Sequence, residues 1–184
     1  MPPRPASLKV RALQWLAQRE HSRNELRDKL LRLLQGYGTG RGTSTSTGDD
    51  AAAPSREAAA LEVETLLQWL EARAYLSDAR FVESRLRARQ SRYGNLRIQQ
   101  ELRQHGLSLD ADSREALQQS ELDRARALWS RRYTAPPSDA AARLRQMRFL
   151  AWRGFSLDVV RRVVGRSGAG ADPSDGEESP FEEA

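Results

Sequence analysis

The chain has 184 residues, enough for a real core in one domain or in an array of small units, and 39% hydrophobic against 30% charged residues suit a highly charged soluble protein. It has no cysteine, which excludes a disulfide framework, a thiol nucleophile and any cysteine-based zinc or iron–sulfur site, and only His21 and His105 supply imidazole. The net charge of +5 is unevenly spread: residues 121–167 carry eleven arginines against four acids, while residues 168–184 carry six acids and no base.

Apolar spacing is helical almost throughout, and no segment alternates as a half-buried strand would, so the expected fold is all-α. Leu8, Ala12 and Trp15, with Leu13 and Leu16, predict a first helix over residues 8–18. Ser22 to Glu25 has capping-box spacing and opens a second, with Leu26, Leu30 and Leu33/Leu34 on its face and Gly36 as its stop. Residues 36–55 are a low-complexity Gly/Ser/Thr stretch. They lack the Gly-Lys-Ser/Thr ending of a phosphate loop and follow no strand, and they read as a flexible insertion. Leu61, Val63, Thr65, Leu66, Leu67, Trp69 and Leu70 predict a third helix that ends near Ala74.

Ser77 or Asp78 caps the next helix, over residues 78–92, with Phe81, Val82 and Leu86 inward; another, over 95–105, carries Ile98, Leu102 and His105 and stops at Gly106. Ser108 is the expected cap of a helix over 109–118. Helices over 121–133 and 139–153 follow, separated by Ala-Pro-Pro, the second with Leu144, Met147 and Leu150/Ala151 inward. Ser156 is expected to cap the last, over 156–164, with Leu157, Val160, Val163 and Val164 inward. The tail, 167–184, is acidic and rich in Gly, Pro and Ser, and reads as disordered.

Two stretches align without a gap: ELRQHGLSLD at 101–110 and FLAWRGFSLD at 149–158. Each reads as a helix end, a glycine stop, an apolar anchor and a cap for the next helix. LQWL also occurs twice, at 13–16 and 67–70. Grouping the helices by threes gives three tandem three-helix repeats: 1–74 with the insertion, 75–120 and 121–166. Such repeats stack into a short, elongated, curved solenoid.

The middle repeat resembles the RecX regulators of bacterial RecA recombinase. The resemblance is carried by YLSDARF at 75–81, RLRARQSRYG at 85–94, Arg97-Ile98 with Glu101-Leu102, and Gly106-Leu107. RFLAWRGFSLDVV at 148–160 and ALQWLAQREHSRNEL at 12–26 match the last and first repeats of that family, whereas the insertion and the acidic tail depart from its pattern. The resemblance implies a non-catalytic protein. It would bind the RecA filament on single-stranded DNA along its groove and lower recombinase, ATPase and coprotease activity.

Arg85, Arg89 and Arg92 fall at four-and-three spacing, with Arg97 just beyond, and form a candidate ridge for phosphates. Arg143, Arg145, Arg148, Arg153, Arg161 and Arg162 crowd two adjacent helices and predict a positive patch, provided the acidic tail does not fold back onto it. These arginines are candidate contacts to DNA, single-stranded or double-stranded, or to RecA. Trp15, Trp69 and Trp129 read as core anchors. Trp152 shares a stripe with Arg145 and Arg148 and is a candidate base-stacking platform. No paired carboxylates, Ser–His–Asp set or metal-ligand spacing appears, so neither an enzyme nor a cofactor is expected. A helix-turn-helix transcription regulator is the main alternative, but the repeats resemble one another and no dimerising zipper is evident, so a monomer is expected; a purely structural scaffold is the third reading. No apolar run approaches the roughly 18 residues of a membrane span and the N-terminus lacks an export signal, which predicts a cytoplasmic protein away from membranes.

Overall fold

The computed structural model describes residues 7–38 and 56–165; the remainder of the predicted insertion, 39–55, and the acidic tail lie outside the described residues. Among the described residues the chain is all-α, with no strand. Its helices are α1 Leu8–Gln18, α2 Arg23–Gly38, α3 Arg56–Ala72, α4 Asp78–Arg89, α5 Asn95–Gln104, α6 Ala111–Gln119, α7 Glu121–Ser130, α8 Ala140–Trp152 and α9 Leu157–Val164. Among the described residues they fall into two compact units, one drawn from the chain up to residue 89 and from 99–110, the other from 90–98 and from residue 111 onward.

In the first unit, Ala12, Leu26, Leu30, Val63, Leu67, Leu70 and Leu76 are buried together, with Trp15 and Trp69 packed against them as anchors. The inward stripe of α3 is Val63, Leu67 and Leu70, at four-and-three spacing, and this register turns Leu61 outward, 70% exposed. The capping box at Ser22 is half formed. The Ser22 hydroxyl accepts the Glu25 N–H at 3.1 Å, but the Glu25 carboxylate is paired with Arg19 and lies 3.6 Å from Lys29. Asp78 supplies a second cap, accepting the Arg23 N–H at 2.8 Å, so it serves the start of α2, while Ser77 Oγ accepts from Arg80 at the start of α4. His21 is buried, with Nδ1 2.9 Å from the Arg19 carbonyl and Nε2 2.8 Å from Lys29 Nζ; burial holds its pKa below the usual histidine value. Glycine did not stop α2 at Gly36. The helix runs on to Gly38, since an interior glycine weakens a helix by only about 1 kcal/mol.

The second unit buries Ala125, Leu150, Phe155, Val159, Val160 and Val164, with Trp129 and Met147 packed against them. Leu144 and Leu157, expected inward, are 51% and 53% exposed. In place of Leu144 the polar Gln146 is buried, because its Oε1 accepts the Trp129 indole N–H at 2.9 Å. A polar side chain with its partner in place can occupy a core position at little cost.

The repeated text is a repeated corner. At Gly106 (φ +74°) the Leu107 N–H reaches the Leu102 carbonyl at 3.0 Å and the Gly106 N–H reaches Arg103 at 2.9 Å; at Gly154 (φ +81°) the equivalent bonds are Phe155 to Leu150, 3.3 Å, and Gly154 to Ala151, 2.9 Å. This is the Schellman arrangement, which satisfies the last carbonyls of a helix through a left-handed residue. The structure reveals a third copy that the text conceals. Tyr75 bonds Leu70 at 2.9 Å and Ala74 bonds Glu71 at 2.8 Å, with Ala74 itself at φ +56°. The residue type differs, and the Leu76 N–H adds a longer bond to the Leu70 carbonyl at 3.3 Å. Because Ala74 is exposed and left-handed, Ala74→Gly removes Cβ strain without removing packing, and it is expected to stabilise the protein by about 1 kcal/mol. Thermal unfolding should show a Tm increase of about 2–4 °C; an unchanged or lower Tm would mean that the alanine is not strained.

The shared Ser-Leu-Asp is used in two registers. Ser156 stands at the N-cap position of α9, though its hydroxyl makes no cap bond and donates to Glu121 instead, whereas α6 starts only at Ala111, three residues after Ser108, which leaves Leu109 in the buried link that precedes it. Ser108 is therefore not the cap that its text suggests.

Candidate nucleic-acid interface

The second unit is organised around a close backbone crossing. The Gly94 N–H donates to the Arg153 carbonyl at 2.8 Å and the Leu96 N–H to the Gly154 carbonyl at 3.0 Å. A Cβ on Gly94 would lie 2.2 Å from the Phe155 nitrogen, and one on Gly154 would lie 2.5 Å from the Arg97 Cβ. Only glycines let the start of α5 sit on the corner between α8 and α9. That docking carries Arg92, Tyr93 and Arg97 to the end of α8.

A buried carboxylate fixes the crossing. Glu121, 4% exposed, accepts the Asn95 N–H at 3.0 Å and the Ser156 N–H at 3.2 Å on Oε1, and the Ser156 hydroxyl at 3.0 Å on Oε2. One side chain thus caps the first turns of α5 and α9, where a negative charge also complements both helix dipoles. One turn along α7, the Arg124 guanidinium donates to the carbonyls of Gln90, Tyr93 and Leu117, each at 2.9 Å, and to Asn95 Oδ1 at 2.6 Å. Burial lowers the Arg124 pKa, opposed by the charge of Glu121. Neither residue stands out in the sequence, since an acid and a base three apart on a polar helix look like surface.

Trp152 ends α8 and is 81% exposed, unlike Trp15, Trp69 and Trp129, which pack against the cores. Burying a side chain of this kind stabilises by roughly 1.5–3 kcal/mol, and Trp152 forgoes most of that. The Arg97 guanidinium donates to the Trp152 carbonyl at 3.3 Å and lies 4.7 Å from the Tyr93 ring centroid. Arg153 donates to the Arg92 carbonyl at 3.3 Å and lies 4.7 Å from the Phe149 ring. Arg145 and Arg148, both exposed, precede Trp152 on its stripe, and α8 contains no acid. The structure therefore gathers Arg92, Arg97, Arg145, Arg148, Arg153 and Trp152 on one unit.

The other predicted residues are placed differently. Arg143 is half-buried and donates to the Gly165 carbonyl at 3.1 Å, closing the end of α9, and Arg161 and Arg162 are exposed on α9. Because α4 ends at Arg89, Arg92 leaves the helical stripe proposed for it and belongs to the second unit. In the first unit Arg85 and Arg89 share the Glu101 carboxylate, at 3.2 and 3.1 Å, and Arg85 also lies 5.0 Å from the Phe81 ring. His105 packs edge-on to Phe81 with centroids 4.9 Å apart, and its Nδ1 is 3.3 Å from Ser22 Oγ. Among the described residues no cluster of three His, Asp or Glu side chains could hold a metal, and no helix is long and apolar enough to cross a membrane.

Comparison with known proteins fits this arrangement to a family. The chain is 44% identical over 180 residues to a protein of Ralstonia nicotianae named regulatory protein RecX, covering 97% of this chain and 98% of that one. This chain belongs to the RecX family. The RecX proteins of Leptothrix cholodnii, 45% identical over 86% of this chain and 87% of the relative, and of Chromobacterium violaceum, 36% identical over 86% and 89%, extend the similarity. The family descriptions of the second and third RecX three-helix domains match residues 77–111 and 119–164. These RecX domains agree with the all-α, helical-repeat reading of the sequence.

Proposed function

We propose that the protein is a non-catalytic, monomeric, cytoplasmic regulator that binds the RecA filament on single-stranded DNA and lowers its ATPase, recombinase and coprotease activity. The observation that carries this reading is the full-length similarity to proteins named regulatory protein RecX. We further propose three working units, residues 1–74, 75–120 and 121–166. Several contact-bearing units on one chain let modest individual contacts reinforce one another through effective concentration. The arginine-rich surface of α8 and α9 supports contact with phosphates, whose affinity would weaken as salt rises.

The test is ATP hydrolysis by RecA on single-stranded DNA at physiological salt, with the full chain titrated. Hydrolysis is expected to fall at protein concentrations well below that of RecA. Unchanged hydrolysis at equimolar protein would remove RecA as the target and return weight to a DNA-binding transcription regulator, for which sequence-specific footprints would then be sought.

A further inference from the structure

We infer that the end of α8 is a nucleobase-stacking site, with Trp152 as the platform and Arg148, Arg145 and Arg97 as the flanking phosphate contacts. The inference rests on the filament reading only for the source of the polymer, and it specifies how single-stranded DNA is held: by its bases as well as by its charge.

Three observations converge. The indole is 81% exposed, the highest exposure among the large apolar side chains that stand out from the described surface. The backbone that carries it is also fixed. Trp152 closes α8, the Arg153 N–H returns to the Leu150 carbonyl at 3.1 Å, and Arg97 holds the Trp152 carbonyl from α5. A platform whose backbone is already fixed has only its side-chain torsions left to order when a base lies on it. Finally, the exposed positions that precede it on its stripe are cationic, and Asp139, the acid whose charge reaches Arg145, stands at the opposite end of α8. Arg148 and Arg145 stand four and seven residues back on the same stripe, about 6 and 10 Å along the axis at about 1.5 Å per residue. Successive phosphates of an extended strand can meet such a row, and α8 places no carboxylate among them.

A protein partner offering an apolar cleft would also cover a tryptophan, but it would favour other apolar side chains around the indole. Here Arg148 and Arg145 precede it on the stripe, and the other exposed large apolar side chain of α8, Leu144, stands more than two turns back. Aromatic faces beside a cationic track are the combination that holds single strands without reading their sequence. Duplex DNA keeps its bases stacked internally and cannot use the platform, so the site selects single strands.

The experiment compares the full-length wild-type chain with Trp152→Ala and Trp152→Phe, without RecA, by fluorescence anisotropy at one low salt concentration. Two labelled polymers of equal length serve as probes: an oligodeoxythymidylate, and an abasic deoxyribose-phosphate chain with the same charge and no bases. Stacking predicts that Trp152→Ala weakens the thymidylate about tenfold or more, leaves the abasic chain unchanged, and is largely rescued by Trp152→Phe. Equal loss on both polymers, no loss on either, or no binding of the thymidylate by the wild type would overturn the site. So would a Trp152→Ala protein that keeps its DNA affinity but loses its effect on RecA, because that result assigns the indole to a protein surface. A wild-type chain that binds DNA through Trp152 yet leaves RecA hydrolysis unchanged would sink the filament reading alone. The two failures are therefore distinguishable.

Discussion

Replacing Glu121 by alanine is expected to destabilise the protein by about 3–5 kcal/mol, the range for removing one partner from a buried charged network. The loss has identifiable parts. The Asn95 and Ser156 N–H groups would be left without an acceptor at the first turns of α5 and α9, the Ser156 hydroxyl would lose its carboxylate, and the half-buried Arg124 would lose its nearest negative charge. Glu121→Gln separates these effects. Its amide oxygen can still accept both N–H groups and its NH2 can donate to Ser156 Oγ, so only the charge is removed, and a cost of about 1 kcal/mol is expected. Urea unfolding of the two variants measures the difference. Equal midpoints for Glu121→Ala and wild type would show that the cap is incidental, and equal losses in the two variants would show that charge, not hydrogen bonding, is what matters.

Gly94→Ala should be comparably damaging for a steric reason. The added methyl would stand 2.2–2.3 Å from backbone atoms of Gly154 and Phe155, and backbone cannot swing aside as the end of a side chain can. Overpacking costs about 1–3 kcal/mol where side chains relax, so a backbone collision is expected at or above about 3 kcal/mol. Gly165→Ala provides the control. That glycine has φ +70° and ψ 178° but nothing within 4 Å of the place its methyl would take, so only conformational strain of about 1–3 kcal/mol applies. If both substitutions cost the same in urea unfolding, the crossing at Gly94 is looser than its geometry indicates.

Much of this architecture can be read from periodicity and punctuation. Stripes such as Leu26/Leu30 and stops such as Gly106 and Gly154 work locally, so helix positions follow from neighbouring residues. Facing depends on what lies across the core. For that reason Leu61, Leu144 and Leu157 read as inward in the sequence and stand outward in the structure, while Gln146 goes in with the Trp129 indole as its partner. The third corner is hidden in the sequence because its hydrogen bonds run between backbone atoms, and Ala74 can occupy a left-handed position where the other two corners hold glycine.

The candidate interface is legible in composition but not in role. Counting arginines finds Arg124 and Arg148 alike. Their difference arises from tertiary contacts, since Arg124 gives its donors to the carbonyls of Gln90, Tyr93 and Leu117 whereas Arg148 stays exposed. Trp152 is separable from the other tryptophans by its stripe, which it shares with Arg145 and Arg148 instead of with leucines. Nothing comparable marks Glu121, whose partners lie 26 and 35 residues away.

The single carboxylate of Glu101, set between Arg85 and Arg89, would, under the proposed function, divide the arginines by the stage of an encounter at which they act. An exposed cation such as Arg148 projects its charge into solvent, where it would draw in a polyanion and fade with added salt. Arg85 and Arg89 contribute a weaker distant field because an acid sits between them. What they would offer is readiness: their rotamers are already restrained by Glu101, so a phosphate that displaced this carboxylate would meet donors that need little further ordering. Under the proposed function, the first kind would govern how often partners meet and the second how long they stay together.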